Sequence, residues 1–439
     1  MYGMMWPLQV VSVAALLSYL FYPAWSGQAS ASASLGCRAR VNGRELLRDP
    51  VFWFLGLFVL YLSLAWLNAG RERLIDYDKG AWVFAPPRYA WLPWSIESVE
   101  AREIFFWFFP LFTLVMLLRH GIQSKRLHLA LFRFCVWNAC LLAVFGLIQK
   151  VVGIKAIYGI FPMERPFFAT FGYANHSGDF FTLALVCSAG VLLFQLRQGG
   201  GQIFRNRNIG PLLAVVLCFV GANGGACRVT MVYSVVIVVI LCGLVMRNHL
   251  AELMTRDRVM LVGFLALLFS ICVLVVFAFG QDFFRSEVGR LFNPKLDYEY
   301  SSRAYLSVAA AQMFMDFPWY GVGPWGYRYF LTDYIDASYF PGYGLANVHN
   351  DALQFLVEFG AVGFSLLALA LLVLIADWIK KVYEVRKKDI PGTGLQIMVI
   401  TGLILVVGHS MIDLPFRSPA ILYYWAGLLT GLPKLAPIV

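Results

Sequence analysis

The sequence predicts an all-α fold: a polytopic bundle of transmembrane helices with a large helical loop on its outer side. Hydrophobic residues make up 60% of the 439 residues, whereas charged residues make up 14%. The mean hydropathy is +0.70, and the apolar residues fall into runs of about 20, the length of helix that crosses a hydrocarbon core. A water-soluble protein does not expose that much apolar surface, so we expect the chain to be embedded in a membrane.

The apolar runs predict about 11 to 12 spans. The first run could also be a secretory signal, because a stretch of small residues at 29–33 follows it. However, no lysine or arginine precedes this run, as a signal peptide normally requires, and we therefore favour a retained span. The runs lie near residues 4–22, 51–69, 104–118, 127–149, 179–196, 211–223, 229–246, 259–279, 352–379, 395–412 and 419–433.

The basic residues predict the orientation of the spans. Five loops hold 18 Lys and Arg residues, whereas the short loops of the opposite side hold 10. Positively charged loops stay in the cytoplasm, so loops 70–103, 150–178 and 280–350 are expected to face outside. The formal net charge of +10 is spread over many loops, which argues against a nucleic-acid partner. The five basic loops are 23–50, 119–126, 197–210, 247–258 and 380–394.

We expect one membrane domain in three parts: the N-terminal part of the bundle at 1–279, the periplasmic loop at 280–350 and the C-terminal spans at 351–439. A connection as long as this loop is uncommon unless it has a function. Within it, Ser301 and Ser302 are suitable N-caps, so an amphipathic helix is expected to begin near Arg303 and to end at Pro318.

Many aromatic residues follow this helix, from Trp319 to Tyr343. Two interpretations stay open: an aromatic belt at the membrane interface, or rings that stack on sugars. The same stretch contains the pattern G-x-G-x-x-G at Gly321–Gly326. A dinucleotide site requires a preceding strand and a following helix, and the expected context here is a helix on the outer side. A tight turn that docks the loop against the bundle is the better interpretation.

Two arginines are candidate anion ligands. Arg228 lies in a short glycine-rich break between two spans, where an arginine is costly and often faces a cavity or an anionic partner; the alternative is a side chain that snorkels to the interface. Arg303 is expected at the start of the loop helix, where the amide groups also favour a phosphate. The alternative for Arg303 is a surface salt bridge with Asp297 or Glu299.

His349 is the candidate general base. It lies where the long loop meets the next span, and Asn350 and Glu358 follow it closely. An imidazole titrates near neutral pH, which suits the deprotonation of a sugar hydroxyl. A structural histidine is the alternative. If His349 and the two arginines act on one substrate, we expect His349, Arg228 and Arg303 to meet in one outward-facing pocket.

Further polar residues lie at outer span ends. Asn175, His176, His409 and Asp413 either line the same cavity as substrate-binding or supporting residues, or satisfy helix termini. Two acidic pairs have the spacing of a divalent-metal site in some glycosyltransferases, but this spacing is frequent by chance. The eight cysteines show no metal-ligand pattern, so no metal is expected. The acidic pairs are Asp76 with Asp78 and Asp297 with Glu299.

Several of these segments together resemble the bacterial O-antigen ligase and polymerase superfamily of membrane glycosyltransferases. The resemblance extends over residues of about 165–420 and is most specific at 303–363. The segments that carry it are Thr170–His176, Arg228, Arg303, Asp316–Gly323, His349–Asn350, Glu358–Gly360 and His409–Phe416.

The resemblance implies a helical bundle of GT-C type in the bacterial inner membrane with its active site on the periplasmic side. It implies transfer of a glycan from undecaprenyl diphosphate to an acceptor sugar hydroxyl, with inversion and without a metal or other cofactor. By this resemblance His349 is the base, and Arg228 and Arg303 hold the diphosphate. The implied partners are the lipid-linked donor, a lipid A–core or growing glycan acceptor, and the bilayer.

The acceptor is not specified by these residues. Ligation to lipid A–core is the favoured interpretation. Polymerisation of O-antigen or exopolysaccharide repeats is ranked next to it because the donor chemistry is the same. A transporter of lipid-linked oligosaccharides is a rival that predicts internal repeats and polar residues at mid-span, and the sequence has no such repeat. A metal-dependent GT-C enzyme that uses Asp76 and Asp78 is a second rival, which a chelator would inhibit.

Overall fold

A computed structural model of the protein describes residues 43–70, 73–76, 81–122, 124–164, 166–198, 206–249, 262–263, 266, 270, 298–335, 347–387 and 393–435. Most of these residues are helical, and within them strands form only two short hairpins. In the first, β1 (Arg73–Asp76) pairs antiparallel with β2 (Ala81–Phe84). In the second, β3 (Ala156–Ile157) pairs with β4 (Phe161–Pro162). The all-α prediction is confirmed.

The main helices of the described residues follow the predicted apolar runs. They are α1 (Pro50–Leu67), α2 (Ser98–Met116, continued by a π-helical turn at Leu117–Gly121), α3 (Lys125–Val152), α4 (Ala174–Gln198), α5 (Asn206–Gly224), α6 (Arg228–His249), α7 (Tyr298–Asp316), α8 (Tyr327–Tyr334), α9 (Asp351–Lys387), α10 (Thr393–Ser410) and α11 (Pro419–Leu435).

Seven of these helices are long and apolar enough to cross a membrane: α1 to α6 and α9. Each coincides with a predicted run, and the shorter helices α10 and α11 coincide with the runs near 395–412 and 419–433. The chain is therefore a multi-pass membrane protein. The predicted run at 4–22 lies outside the described residues, as does most of the run at 259–279.

We call the helix ends next to the basic loops inner ends and the opposite ends outer ends.

The chain divides into two compact units. Unit 1 comprises residues 1–124, 298–380 and 411–413, and unit 2 comprises residues 125–297, 381–410 and 414–439. Unit 1 therefore contains α1, α2, α7, α8 and most of α9. Unit 2 contains α3 to α6, α10 and α11.

Helix α4 is the centre of unit 2 and is the most buried of the seven spans. Glycines let its neighbours approach closely, as is usual where helices pack in membranes. A Cβ added at Gly178 would lie 2.2 Å from Thr230 Oγ1 on α6, and one at Gly190 would lie 2.4 Å from Leu395 Cδ1 on α10. The first contact joins the outer ends of α4 and α6, and the second joins the inner parts of α4 and α10.

In unit 1 the helix α9 is interrupted at Gly360, where φ is +62° and ψ is −175°. The turn at 318–323 inserts its backbone into this break. Val322 N donates to Val357 O at 2.9 Å and Gly323 N to Glu358 O at 3.0 Å. In return Ala361 N donates to Pro318 O at 2.7 Å. The freed backbone groups are thus satisfied inside the protein, as a break in a membrane helix requires.

The glycine pattern at 321–326 therefore belongs to a docking turn, and this prediction is confirmed. A buried tyrosine reinforces the turn, because the Tyr61 hydroxyl lies 2.8 Å from Tyr320 O and 3.0 Å from Phe359 O. Both carbonyl oxygens are hydrogen-bond acceptors, so the single hydroxyl proton is shared between them. Through this side chain, helix α1 is hydrogen-bonded to the turn or to α9.

We expect Gly360→Ala to destabilise unit 1 severely. The added Cβ would lie 2.4 Å from Trp319 O and 2.5 Å from Gly321 N, and a φ of +62° combined with a ψ of −175° is adopted essentially only by glycine. The yield of folded protein in detergent, measured by size-exclusion chromatography, should fall to a small fraction of wild type. Gly243→Ala is the matched control because nothing lies within 4 Å of its added Cβ. Equal yields of the two variants would contradict this account of the break.

The outer part of unit 1 has its own hydrophobic core. Helices α7 and α8 pack against Trp94 and Ile96, and Val348 and Val357 complete the core. Tyr327 and Phe330 are buried in it, so these two aromatic residues are core residues and not a surface for sugars. Residues 336–346, which include Tyr339, Phe340 and Tyr343, lie outside the described residues.

The start of the loop helix differs from the prediction. Helix α7 begins at Tyr298, so Ser301 and Ser302 lie within its first turns and are not the N-caps. Capping signals locate a helix end only within a turn, because serine is also accommodated inside a helix. Arg303 consequently lies in the second turn, and the proposal that the first amides of the helix join it in binding an anion was wrong.

A charged cluster joins the inner ends of α1, α2 and α9. The buried carboxylate of Asp49 accepts hydrogen bonds from Arg119 Nε at 2.6 Å and Val51 N at 3.0 Å, and His120 Nε2 lies at 2.7 Å. The π-helical turn allows the consecutive residues Arg119 and His120 to face the same carboxylate. Arg119 also binds the exposed Asp377 on α9 at 2.9 Å.

We expect Asp49→Asn to lower the free energy of unfolding of unit 1 by about 2 kcal/mol at pH 7. Burial raises the pKa of Asp49, but hydrogen bonds from His120, Arg119 and Val51 and the charge of Arg119 outweigh it and lower the pKa from 3.8 to about 2. The depressed pKa means that this contribution is present above pH 4 and is lost as the pH falls towards 2. Thermal unfolding in detergent should therefore separate the variant from wild type at pH 7 but not at about pH 2.

Asp377→Asn is the matched control, since it removes an exposed partner of the same arginine and surface ion pairs contribute little. If the difference in stability between Asp49→Asn and wild type did not depend on pH, the stabilisation by Asp49 would not be ionic.

Candidate functional site

In unit 1, three of the predicted site residues contact the segment Met411–Asp413, which itself contains a fourth, Asp413. This segment directly follows α10. Asn350 Nδ2 donates to Met411 O at 3.0 Å, and Arg303 Nη1 donates to Ile412 O at 2.9 Å. His349 Nδ1 lies 3.5 Å from Asp413 Oδ1, which is within ion-pair range but long for a hydrogen bond.

His349 has an unusual backbone conformation. Its φ is +57°, in the left-handed region that non-glycine residues seldom adopt and that clusters at functional sites. The side chain is 24% exposed, whereas that of Asp413 is 2% exposed. The imidazole thus has one nitrogen towards a buried carboxylate and its other edge towards the accessible side.

The residues around His349 hold this conformation. Asn350 is the N-cap of α9, because its Oδ1 accepts from Leu353 N at 3.0 Å. On the other side, Val348 N donates to Gln354 Oε1 at 2.7 Å, and Gln354 Nε2 donates to Glu358 Oε1 at 2.6 Å. Gln354 and Glu358 are fully buried. Glu358 therefore supports the histidine turn from inside the protein.

In unit 2, Arg228 is the first residue of α6 and is half-buried. The preceding turn is tight: Ala226 has a φ of +58°, and a Cβ at Gly225 would lie 2.4 Å from Ser177 Oγ and 2.8 Å from Ala174 O. The turn that carries Arg228 thus packs against the first turn of α4. The predicted short break between the two spans is confirmed.

That first turn of α4 carries two further predicted residues. Asn175 Nδ2 donates to the Tyr173 hydroxyl at 2.9 Å. His176 Nε2 lies 3.0 Å from Leu414 O, and its ring meets that of Tyr173 edge to face at 4.9 Å. Both side chains therefore organise the outer end of α4.

His409 forms a buried pair in unit 2. Its Nδ1 lies 2.8 and 2.9 Å from the two carboxylate oxygens of Asp179 on α4, and both side chains are almost inaccessible. The pair fixes the last turn of α10 to α4. Both side chains are buried, so the pair is a contact between these two helices inside unit 2.

The structure adds residues that the sequence interpretation missed. Asp179, Gln354 and the buried Arg417 are polar residues in apolar surroundings, which is the signal that reveals such positions in membrane proteins. The structure places His349, Asn350, Arg303, Glu358 and Asp413 in unit 1, and Asn175, His176, Arg228 and His409 in unit 2. The meeting of Arg228 with His349 and Arg303 stays a prediction.

Among the described residues, no group of three or more His, Cys, Asp or Glu side chains is arranged to hold a metal ion. Asp78 and Asp297 lie outside the described residues, and the side chains of Asp76 and Glu299 are also not described.

The fold and these contacts define a multi-pass helical membrane protein with a strained histidine at a buried carboxylate and arginines at its outer ends. Residues 213–368 match the family model described as O-antigen ligase. The match extends from α5 into α9 and includes Arg228, Arg303, His349, Asn350 and Glu358. A search of curated proteins found no match. The match to the family model supports the assignment to the O-antigen ligase and polymerase superfamily, whose members are glycosyltransferase-like enzymes.

Proposed function

We propose that the protein transfers a glycan from undecaprenyl diphosphate to a sugar hydroxyl of an acceptor, as an O-antigen ligase does. The proposal rests on the position and conformation of His349. It lies inside the matched region, has a left-handed backbone and faces the buried Asp413. Such a backbone costs folding free energy, which is understandable where the side chain performs chemistry.

In the proposed reaction His349 is the general base. Its Nδ1 edge faces Asp413, so Nε2 takes the proton of the acceptor hydroxyl. The acceptor oxygen then forms a bond to the anomeric carbon, the bond from that carbon to the phosphate oxygen breaks, and the lipid diphosphate leaves with the electron pair. Asp413 orients the imidazole and stabilises the imidazolium that forms. A direct displacement of this kind inverts the anomeric carbon.

The diphosphate needs cationic ligands because negative charge grows on it as it leaves. Arg303 and Arg228 are proposed for this role. Arginine presents several N–H donors in a rigid fork, which suits phosphate oxygens better than the point charge of lysine. Arg303 is positioned by its bond to Ile412 O, and Arg228 begins a helix of 22 residues, whose first amides also favour an anion.

The remaining residues support these three. Asn350 and Glu358 maintain the histidine turn, and Asn175, His176 and His409 organise the outer ends of α4 and α10. We propose that the protein lies in the bacterial inner membrane, that the site faces the periplasm and that no metal takes part. Lipid A–core is the proposed acceptor.

Reconstitution into proteoliposomes tests the proposal. Purified protein is given an undecaprenyl-diphosphate glycan, with lipid A–core or with a second lipid-linked glycan as acceptor. Transfer to lipid A–core that persists in EDTA supports the proposal. Products that grow by repeat units on the second lipid would identify a polymerase instead. Movement of the donor between leaflets without any transfer would favour a transporter.

A further inference from the structure

One buried side chain near the outer end of unit 2 has no place in the proposed mechanism. Gln149, in the last turn of α3, is 3% exposed. Neither its amide nitrogen nor its amide oxygen has a hydrogen-bond partner among the described residues. A buried amide that lacks partners destabilises a protein, so its presence requires another explanation, such as a bound ligand.

The packing of α3 and α5 locates this amide. Both helices run from an inner to an outer end, and the thiols of Cys140 and Cys218 meet between them. Six residues further out on each helix, a rise of about 9 Å, Gly146 and Gly224 contact the same ring. A Cβ at Gly146 would lie 2.6 Å from the Phe168 ring, and one at Gly224 would lie 2.4 Å from it.

Gln149 lies one turn beyond Gly146 on the same face of α3, since residues three apart share a helix face. On the other side of the Phe168 ring, Gly224 is followed by the tight turn that leads to Arg228. The unpartnered amide and the turn that carries Arg228 therefore border the outer side of the same aromatic ring. A hydrogen-bonding side chain and the turn that leads to Arg228 thus lie at one level of unit 2.

We propose that Gln149 binds the lipid-linked donor at the junction between its diphosphate and its first sugar. This inference rests on the proposed function. The amide nitrogen donates to a phosphate oxygen, and the amide oxygen accepts from a sugar hydroxyl, so such a junction satisfies both atoms at once. A simple phosphate would satisfy only the nitrogen.

Michaelis kinetics with varied donor test this assignment in the reconstituted protein. Gln149→Met removes both polar atoms at similar volume, and we expect the KM for the donor to rise about tenfold while kcat stays within about twofold, as for loss of a binding contact. Gln149→Glu should raise the KM further because its charge repels the diphosphate. Gln396→Met is the control. Gln396 is also buried, and its amide nitrogen lacks a partner, but it lies at the inner end of α10, so the KM should not change.

An unchanged donor KM in Gln149→Met would overturn the inference and would leave the amide a hydrated structural group. Should that variant fail to fold, Gln149→Asn is titrated with a farnesyl-diphosphate-linked sugar, which carries both groups of the junction, and its thermal stabilisation is compared with that of wild type. Weaker stabilisation supports the assignment, and equal stabilisation overturns it. Failure of the proposed function itself looks different, because wild type would then transfer no glycan.

Discussion

Replacement of His349 by asparagine is expected to lower the rate of glycan transfer by about 10²–10⁴-fold while the protein folds normally. A positioned base contributes that much when it removes the proton of an attacking hydroxyl. Asparagine is the informative substitution because it tolerates the left-handed backbone better than other side chains. The φ of +57° at this position means that alanine would combine loss of the base with strain in the turn. Initial rates at saturating donor and acceptor, with thermal unfolding in parallel, measure the effect.

Asp413→Asn provides a second arm of the same experiment. It keeps the shape of the side chain 3.5 Å from His349 but removes the charge that stabilises the imidazolium. We expect a loss in kcat, because the imidazolium that forms during the transfer no longer faces a negative charge. Normal turnover in His349→Asn would show that another group accepts the proton. The base assignment would then be abandoned.

The spans were predictable because a bilayer imposes one length and one composition on every helix that crosses it. The runs near 127–149 and 229–246 correspond to α3 and α6 within a few residues. Nothing comparable constrains the loop helix, and its start at Tyr298 was missed because a capping serine is only a weak local preference. The apolar pattern therefore determined the bundle better than the loop.

The break in α9 illustrates what an apolar pattern does not contain. Residues 352–379 were predicted as one continuous span, and Gly360 was only part of a family motif. The interruption depends on a turn about forty residues earlier, whose amide groups donate to carbonyl oxygens at the break. The Tyr61 side chain of α1 then hydrogen-bonds to this turn. Such exchanges of backbone hydrogen bonds depend on tertiary packing, and a local pattern does not reveal them.

The chemistry of the site was partly predictable for a related reason. Arginine, histidine and aspartate at the ends of apolar spans are costly, so they stand out in a sequence. Their partners do not stand out. Arg303 and Asn350 bind the carbonyl oxygens of Ile412 and Met411, and every residue has a carbonyl oxygen. Asp179 was assigned no role because it lies at the border of a predicted span, yet it pairs with His409.

Arg303→Lys is expected to lower kcat/KM by about 10²–10³-fold, although the charge is retained. In the structure one nitrogen of Arg303 is bound to Ile412 O at 2.9 Å. A guanidinium has further N–H groups in a fixed plane, so it can keep this bond and still contact a phosphate oxygen. The lysine ammonium is shorter in reach and has no such plane, so it must serve either the carbonyl or the leaving diphosphate.

Arg303→Gln completes this test, because glutamine carries no charge. If Arg303 stabilises the departing diphosphate, the glutamine variant should be at least as impaired as the lysine variant, with both proteins as stable as wild type. Arg88→Lys, at an exposed arginine that contacts Tyr89, is the control and should be active. Wild-type kinetics in Arg303→Lys would show that this residue only holds the 411–413 segment in place. The diphosphate would then need another cation.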